Sequence, residues 1–399
     1  MQGKSRPVVV VLGILLVLLM AISVSAQGEG PAAQAPSAGQ IEALANGTTS
    51  ISLSAQQSAA VLNYWTRERL AAATPMAMPT VTSLRRPPHA RPSSVLIGST
   101  ATGGLAAANA DAQARAAYPQ DWAEQDEAAL ANSPASADGT PGVYTSYIVN
   151  QLAPLWKTNG HKPTGRLSFS VPGGTSYCSA SVVSGNNIIV TAAHCVYDTT
   201  NNAFYNNWVF SPAYRNNKAP YGTFSYQTCW VLNSWINLSG SYNINGWAPY
   251  DVAVCKMNNN SAGKTLSSQT GWYGRMWNFG YIQNVHDMGY PFQDYNLNNL
   301  TNAGKYLRLC ANETFQQAAD VLGGGCDYGP GISGGPWLVS YDPFDQTTSY
   351  VDSVNSGLFV GGQNGYGGRV NDQKIVALCE TARGWPGGGS HRVPPRARR

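Results

Sequence analysis

The stretch Val190-Thr191-Ala192-Ala193-His194-Cys195 decides how this chain is interpreted. Its apolar, β-branched start predicts the end of a buried strand, and a histidine follows that strand directly. Far downstream, the stretch Gly331-Ile332-Ser333-Gly334-Gly335-Pro336 places a serine among glycines. A serine hydroxyl is a weak nucleophile until a neighbouring imidazole takes its proton. Together, the two stretches indicate nucleophilic acyl-transfer chemistry.

Such chemistry works best when a buried carboxylate holds the imidazole in one tautomer. Asp251 is the best candidate, because it heads an apolar run, Asp251-Val252-Ala253-Val254, that is typical of a buried strand. Asp198 is an alternative, but it lies in a polar loop sequence shortly after His194. Taken alone, a histidine is more often a structural residue and a Ser-Gly-Gly stretch more often a turn. The combination favours a catalytic set of His194, Asp251 and Ser333.

The order of these three residues along the chain is that of the chymotrypsin-type triad. With the motifs quoted above, the chain resembles the trypsin-like serine endopeptidases from Thr164 to Cys379. Two further stretches, Cys178-Ser179-Ala180-Ser181-Val182-Val183 and Gly289-Tyr290-Pro291, resemble secreted bacterial members related to the glutamyl endopeptidase branch.

The resemblance implies an all-β fold of two packed antiparallel six-stranded β-barrels, with the active site in the cleft between them. Short β-type runs broken by Gly, Asn and Pro themselves predict an antiparallel barrel or sandwich. The expected first barrel spans residues 146–275 and the second residues 276–385. The predicted strands are Arg166 to Val171, Ser179 to Val183, Ile188 to Ala192, Trp208 to Phe210, Asp251 to Met257, Val285 to Tyr290, Tyr306 to Leu309, Trp337 to Ser340, Tyr350 to Leu358 and Lys374 to Leu378.

The resemblance also assigns residues around the serine. The backbone N–H groups of Gly331 and Ser333 take the positions of the oxyanion hole, where donors stabilise a tetrahedral intermediate. Substrate backbones of this family pair with a segment after the nucleophile. That segment is expected at Val354, Asn355, Ser356 and Gly357.

Substrate preference is left open by the sequence. Asp327 lies six residues before Ser333, and ungapped counting puts it at the position that gives trypsins their basic preference. The glutamyl-specific branch uses a histidine in the strand after the serine, and none occurs between Ser333 and Gly389. Ile332 replaces the aspartate that receives the new N-terminus when trypsins are activated, so that switch is not expected here.

All seven cysteines lie after residue 177, which fits an oxidising compartment and structural disulfides. By resemblance, Cys178 and Cys195 form the bridge around the histidine loop. Cys310 with Cys326 and Cys229 with Cys255 are further possible pairs, and Cys379 is left unplaced. Neither a C-x-x-C motif nor a paired-histidine spacing occurs, so we predict no metal site and no cofactor.

Composition supports a loop-rich β protein. Of the 399 residues 43% are hydrophobic, which is enough for a sizeable core. Charged residues make up only 12%, and the net charge is +4 with several positive charges in the last nine residues. This balance gives no reason to expect a nucleic-acid partner.

The N-terminus predicts export. Lys4 and Arg6 precede an apolar stretch from Val8 to Val24, and Val24-Ser25-Ala26 supplies the small residues of a signal-peptidase site. Residues 1–26 are therefore expected to be a signal peptide, with a secreted, extracellular product that has no stable membrane association. An uncleaved anchor is the alternative.

Residues 27–145 are rich in Ala, Gln, Ser and Pro, and are expected to be a pro-segment or a low-complexity spacer. Short helices are predicted at Ser58 to Ala73 and Asp121 to Ala131. Cleavage of the zymogen is expected between Gly139 and Pro163, and the chain's own pro-segment is a candidate inhibitor or folding aid. Residues 386–399 are expected to form a disordered basic tail.

The sequence thus predicts a secreted serine endopeptidase that hydrolyses peptide bonds in polypeptides through a His-Asp-Ser triad and an acyl-enzyme intermediate. Two alternatives stay open. One is a catalytically silent, protease-like binding protein, and the other is an esterase that uses the same triad.

Overall fold

A computed structural model gives the fold of this chain. It describes residues 39–81, 99–122, 144–149, 155–238, 248–277, 279–294, 297–318, 321–359, 364–369, 378–379 and 382. All of these belong to one compact unit. The predicted signal peptide and the predicted basic tail lie outside the described residues.

Most regular structure is β. The strands are β1 Gln40–Ala43, β2 Thr48–Ser52, β3 Thr74–Pro75, β4 Thr80–Val81, β5 Ser99–Ala101, β6 Tyr144–Ile148, β7 Thr164–Val171, β8 Gly174–Val182, β9 Ile188–Thr191, β10 Tyr197–Asp198, β11 Ala203–Phe204, β12 Asn206–Pro212, β13 Phe224–Leu232, β14 Ala253–Met257, β15 Gly274–Trp277, β16 Asn284–Gly289, β17 Arg308–Ala318, β18 Val321–Gly325, β19 Pro336–Val339, β20 Tyr350–Phe359 and β21 Asn364–Arg369. The α-helices are α1 Ala55–Tyr64, α2 Arg67–Ala72 and α3 Ala110–Ala117, with short ones at Asn233–Ile236 and Leu266–Thr270.

Six strands close the first barrel in the order β13-β12-β7-β8-β9-β14, because β14 pairs back onto β13. The pairings around this cycle are antiparallel. Its interior is apolar and aromatic, with fully buried Trp208 and Phe210. Alternation of inward and outward residues along each strand fills this interior without leaving an edge.

The second barrel closes in the same way. Its cycle is β16-β17-β18-β21-β20-β19, in which β19 pairs with both β20 and β16. The predicted all-β fold with two six-stranded barrels is confirmed. Three barrel strands escaped sequence analysis: β13, β18 and β21. The last two are glycine-rich, and glycine gives no β-propensity signal.

Residues before the barrels add to both of them. The β1–β2 hairpin extends the first sheet by pairing β2 with β13. Strand β6 pairs with β17 of the second sheet, and β15 pairs with both β5 and β20. The domain boundaries that we expect from the sequence stay a prediction.

Helix α1 begins at a capping box in which Ser54 and Gln57 satisfy each other's backbone N–H groups. Val61 and Trp65 are buried, and the indole of Trp65 donates to the Asn207 carbonyl over 2.5 Å.

The helix predicted at Ser58 to Ala73 is two helices, α1 and α2. Most of the predicted helix Asp121 to Ala131, and all but one residue of the predicted strand Lys374 to Leu378, lie outside the described residues.

Disulfides join Cys178 to Cys195, Cys229 to Cys255 and Cys310 to Cys326. The first two lie within the first barrel, where β13 and β14 place Cys229 opposite Cys255. Cys379 is buried.

Within the part of the chain that the structure describes, no helix is both long and apolar enough to cross a membrane.

Candidate active site

His194 lies at the rim of the first barrel, just beyond the end of strand β9. Strand β9 ends at Thr191, and a 3₁₀ turn, Ala193–Cys195, carries the histidine. The disulfide from Cys195 to Cys178 ties this turn to β8. Only 5% of His194 is exposed, so its imidazole is held in a fixed, largely water-free position.

Asp251 reaches this histidine because β14 pairs with β9, placing Ala253 opposite Thr191. One carboxylate oxygen of Asp251 accepts the backbone N–H of His194 over 2.8 Å, and the other lies 2.8 Å from its Nδ1. The Ser356 hydroxyl also donates to Asp251. The carboxylate therefore fixes both the backbone and the ring of His194, as an orienting acid must.

Asp198, the alternative acid, has a different role. Its carboxylate accepts the backbone N–H groups of Thr200 and Asn201 over 2.9 and 3.1 Å, so it closes its own turn. Turn closure of this kind is typical of Asp in polar loops.

Ser333 lies in the loop between β18 and β19. Gly331 and Gly334 have φ values of +99° and +77°, a region that favours glycine. A Cβ at Gly334 would lie 2.0 Å from the Thr191 hydroxyl, so the serine loop approaches the histidine strand closely. Ser179 donates its backbone N–H to the Ser333 carbonyl over 2.7 Å, which joins β8 directly to the serine.

Sequence analysis missed the function of the Ser179 side chain. Its buried hydroxyl donates to the Gly331 carbonyl and accepts the Tyr290 N–H, both over 2.9 Å. Because the Gly331 carbonyl is held, the peptide bond between Gly331 and Ile332 has a fixed orientation. The only sequence signal was the position of Ser179 beside Cys178, in one of the stretches that resemble bacterial proteases.

The candidate reactive atoms and the candidate oxyanion donors have no hydrogen-bond partner among the described residues. The Ser333 hydroxyl and the Nε2 atom of His194 are buried and have no hydrogen-bond partner among the described residues. Within the same residues, neither the Gly331 N–H nor the Ser333 N–H donates a hydrogen bond. Catalytic hydrogen bonds are often long in free enzymes and tighten only around substrate. Polar groups left unpaired in this way are suited to bind a reacting carbonyl.

The predicted substrate segment lies within β20. Val354 pairs with both β19 and β21, whereas Asn355 and Gly357 pair with β21. Asn355 accepts the Gly334 N–H through its carbonyl over 2.7 Å, which fixes the loop beyond the serine. Ser356 contacts Asp251. These residues thus hold the loop and the acid, and Leu358 and Phe359, further along β20, pair with β4.

Asp327 is buried, and its carboxylate accepts the Ser146 hydroxyl over 2.8 Å. A second buried acid, Asp287, lies nearby on β16 and accepts a hydrogen bond from the Asn355 side chain. Burial raises the pKa of Asp287 to about 8, with the Asn355 hydrogen bond opposing this and Asp327 adding to it. Trp337 donates to the Asn355 amide oxygen over 3.0 Å, so a polar network lies directly behind the serine loop.

Two groups of potential metal ligands occur among the described residues, and both contain a disulfide. Sulfur atoms bonded to each other are not the thiolates that a metal requires. The groups are His194 with Cys178 and Cys195, and Asp327 with Cys310 and Cys326.

Comparison with known proteins places this geometry in context. The family model described as Trypsin matches residues 158–371. The protease Anisep from Arthrobacter nicotinovorans is 27% identical, with 55% of this chain and 95% of that chain covered and a TM-score of 0.46. No curated protein sequence matches the chain.

Two other solved structures are similar at lower identity. A thermostable serine protease, AL20, from an extremophilic microorganism is 23% identical over 56% of this chain and 98% of that chain, with a TM-score of 0.47. A Glu endopeptidase in complex with MPD is 17% identical over 61% of this chain and 97% of that chain, with a TM-score of 0.45.

Proposed function

Since this chain belongs to the trypsin family and is a serine endopeptidase acting on polypeptides, we propose that His194, Asp251 and Ser333 are its catalytic residues. One observation carries the assignment: both carboxylate oxygens of Asp251 bond to His194, at its backbone N–H and its Nδ1. This arrangement leaves Nε2 as the free ring nitrogen. It is the arrangement that a general base needs beside a serine nucleophile.

In the proposed first step, His194 Nε2 takes the proton of the Ser333 hydroxyl while the serine oxygen attacks the substrate carbonyl carbon. The carbonyl oxygen becomes an oxyanion, which accepts the N–H groups of Gly331 and Ser333. Collapse of this intermediate breaks the C–N bond, and the imidazolium gives its proton to the leaving amine. The product is an ester between Ser333 and the acyl part of the substrate.

A water molecule then hydrolyses this ester through the same series of steps. His194 removes a proton from the water, the resulting oxygen attacks the ester, and the proton passes to Ser333 as the acid leaves. Asp251 keeps the imidazole oriented and stabilises its charged form through both steps. Ser179 and Asn355 hold the loop on either side of the serine.

We further propose that the enzyme is exported and matures by loss of N-terminal residues. Support for export comes from three disulfides, which persist in oxidising compartments, and from the signal-like sequence of residues 1–26. The pairing of β2 with β13 supports a role for the N-terminal region in folding the first barrel.

A fluorophosphonate probe tests the nucleophile in the exported, matured protein. We expect covalent labelling at Ser333, no labelling of Ser333→Ala, and a fall in kcat of about 10⁶-fold in that variant. Ser168→Ala is the control, because Ser168 is equally buried but lies in the first barrel. Labelling at another residue, or peptide hydrolysis that survives in Ser333→Ala, would overturn the assignment.

A further inference from the structure

A short segment of the N-terminal region crosses from one barrel to the other, and we call residues 73–81 the strap. At its start, β3 pairs in parallel with β8, placing Thr74 opposite Ser176 and Pro75 opposite Tyr177. At its end, β4 pairs in parallel with β20, with Thr80 opposite Leu358. The strap is therefore an extended peptide that adds a strand to both barrels at once.

The first-barrel end is held by backbone and charge. Met76 donates its N–H to the Tyr177 carbonyl over 2.9 Å. The Arg166 guanidinium donates to the Ala73 carbonyl over 3.1 Å and lies 3.6 Å above the Tyr177 ring. Arg166 is only 3% exposed, so this contact lies away from solvent. A buried charged donor makes the carbonyl of Ala73 a firm anchor.

The second-barrel end uses the strand that is expected to bind substrate. Leu358 donates its N–H to the Pro79 carbonyl over 3.0 Å. Leu358 lies two residues beyond Ser356, which contacts Asp251. Strand addition to an exposed edge is a common way to bind an extended peptide, with pockets beside it giving specificity. The strap thus takes the backbone positions that such a peptide would use.

Between its two ends, the strap passes His194. Residues 76–79 line one cavity together with His194 and Tyr205. The Ser333 hydroxyl and the His194 Nε2 atom are buried. An extended chain at this position excludes a second one, so substrate and strap compete for the same groove.

Two neighbouring side chains of the strap differ in exposure. Ala77 is exposed, whereas Met78 is only 7% exposed. Met78 belongs to an apolar cluster that borders the serine loop. The other members of this cluster are Tyr144, Cys310, Cys326, Tyr328, Ile332 and Leu358.

We propose that the strap is a built-in pseudosubstrate and that Met78 occupies the primary specificity pocket, so the protease prefers a medium-sized apolar residue such as Met or Leu there. This inference rests on the proposed function, because the groove matters only if Ser333 is the nucleophile. Asp327 then does not select a basic side chain, since its carboxylate is engaged by Ser146. The strap is also displaceable, because each pairing covers two residues and parallel pairing is the less stable kind.

The first test opens the groove in the full chain. Glu at position 78 would bury a charge among apolar side chains, which costs free energy. Glu at position 71, which is exposed on α2 outside the strap, carries no such cost. We expect Met78→Glu to raise the rate of fluorophosphonate labelling at Ser333 by about tenfold or more, as the accessible fraction of the groove increases. Ala71→Glu is the matched control and should label like the unchanged chain.

A synthetic peptide with the sequence of residues 73–81 gives a second readout. We expect it to slow labelling of the Met78→Glu chain, and a scrambled peptide of the same composition to have no effect. Circular dichroism of each variant confirms that it is folded. Equal labelling of Met78→Glu and Ala71→Glu, with no effect of the peptide, would overturn the pseudosubstrate.

The second test measures the pocket in the exported, matured protein. Peptides that differ only in the residue before the scissile bond carry Met, Leu, Arg or Glu. We expect kcat/KM for Met and Leu to exceed that for Arg and Glu by about tenfold or more. Fastest cleavage after Arg would overturn the pocket assignment and restore Asp327 as its determinant.

The two hypotheses fail differently. If the matured protein is labelled at Ser333 but Met78→Glu and Ala71→Glu behave alike, the pseudosubstrate hypothesis is wrong and the catalytic assignment stands. If neither the matured protein nor Met78→Glu is labelled although both are folded, the catalytic assignment itself is wrong.

Discussion

The two barrels close by equivalent six-strand cycles but differ in what they bury. The first barrel holds an apolar and aromatic interior with two disulfides, and its buried carboxylate, Asp251, is bonded to His194. The second barrel buries three further acids, Asp287, Asp327 and Asp352. Apolar packing does not respond to pH, whereas a buried carboxyl does. The histidine is thus positioned by an apolar, disulfide-bonded barrel and one carboxylate, and the serine by a polar network.

The largest loss of activity is expected from a change at Asp251, where the first barrel meets the candidate active site. Asp251→Asn preserves the shape of the side chain, but its amide can no longer accept hydrogen bonds through both terminal atoms. Nδ1 of His194 then loses its acceptor, and the wrong tautomer is favoured. We expect kcat for peptide hydrolysis to fall by about 10⁴-fold.

Ser356→Ala is the comparison for that variant, because it removes one donor to Asp251 and leaves the carboxylate in place. Its kcat should fall much less. Should Asp251→Asn keep more than about a tenth of the kcat, the acid must come from elsewhere in the chain.

Disulfide removal tests whether covalent links matter to the apolar barrel. Replacing both Cys229 and Cys255 by Ala opens a loop with a sequence separation of 26 residues. Loop-closure entropy predicts a loss of about 3 kcal/mol in the free energy of unfolding. Urea unfolding measures this, and an unchanged midpoint would contradict it.

The junction between the barrels gives a smaller effect. Ser179→Ala leaves the buried Gly331 carbonyl and Tyr290 N–H without their partner, which costs about 1–3 kcal/mol. We expect kcat to fall by about tenfold with little change in KM, because the oxyanion loop is misplaced. Ser181→Ala is the matched control, since its hydroxyl is buried on the same strand and has no partner among the described residues.

The sequence predicted the candidate catalytic residues but not the strap or the contacts of Ser179. His194, Asp251 and Ser333 could be predicted from the sequence because each follows or heads a recognisable run, and β-branched strands such as β9 carry a periodic signal. The strap was not found, because its two strands are two residues long and depend wholly on their partners. The hydroxyl contacts of Ser179 also depend on tertiary approach, which a single sequence does not encode locally.

The smallest expected effect concerns pH and the second barrel. In the folded protein burial raises the pKa of Asp287 from an ordinary 3.8 to about 8. Between these values the folded chain keeps a proton that the unfolded chain releases, so stability falls as pH rises through this range. In Asp287→Asn the amide oxygen still accepts the Asn355 side chain but does not titrate.

We therefore expect the melting temperature of the unchanged protein to fall relative to that of Asp287→Asn as pH is raised from about 5 to about 8. Ser168→Ala, a non-titrating change in the first barrel, should follow the pH slope of the unchanged protein. Parallel curves for the unchanged protein and Asp287→Asn would mean that Asp287 is ionised in the folded state. The contrast between an apolar barrel and a titratable one would then fail at the residue chosen to show it.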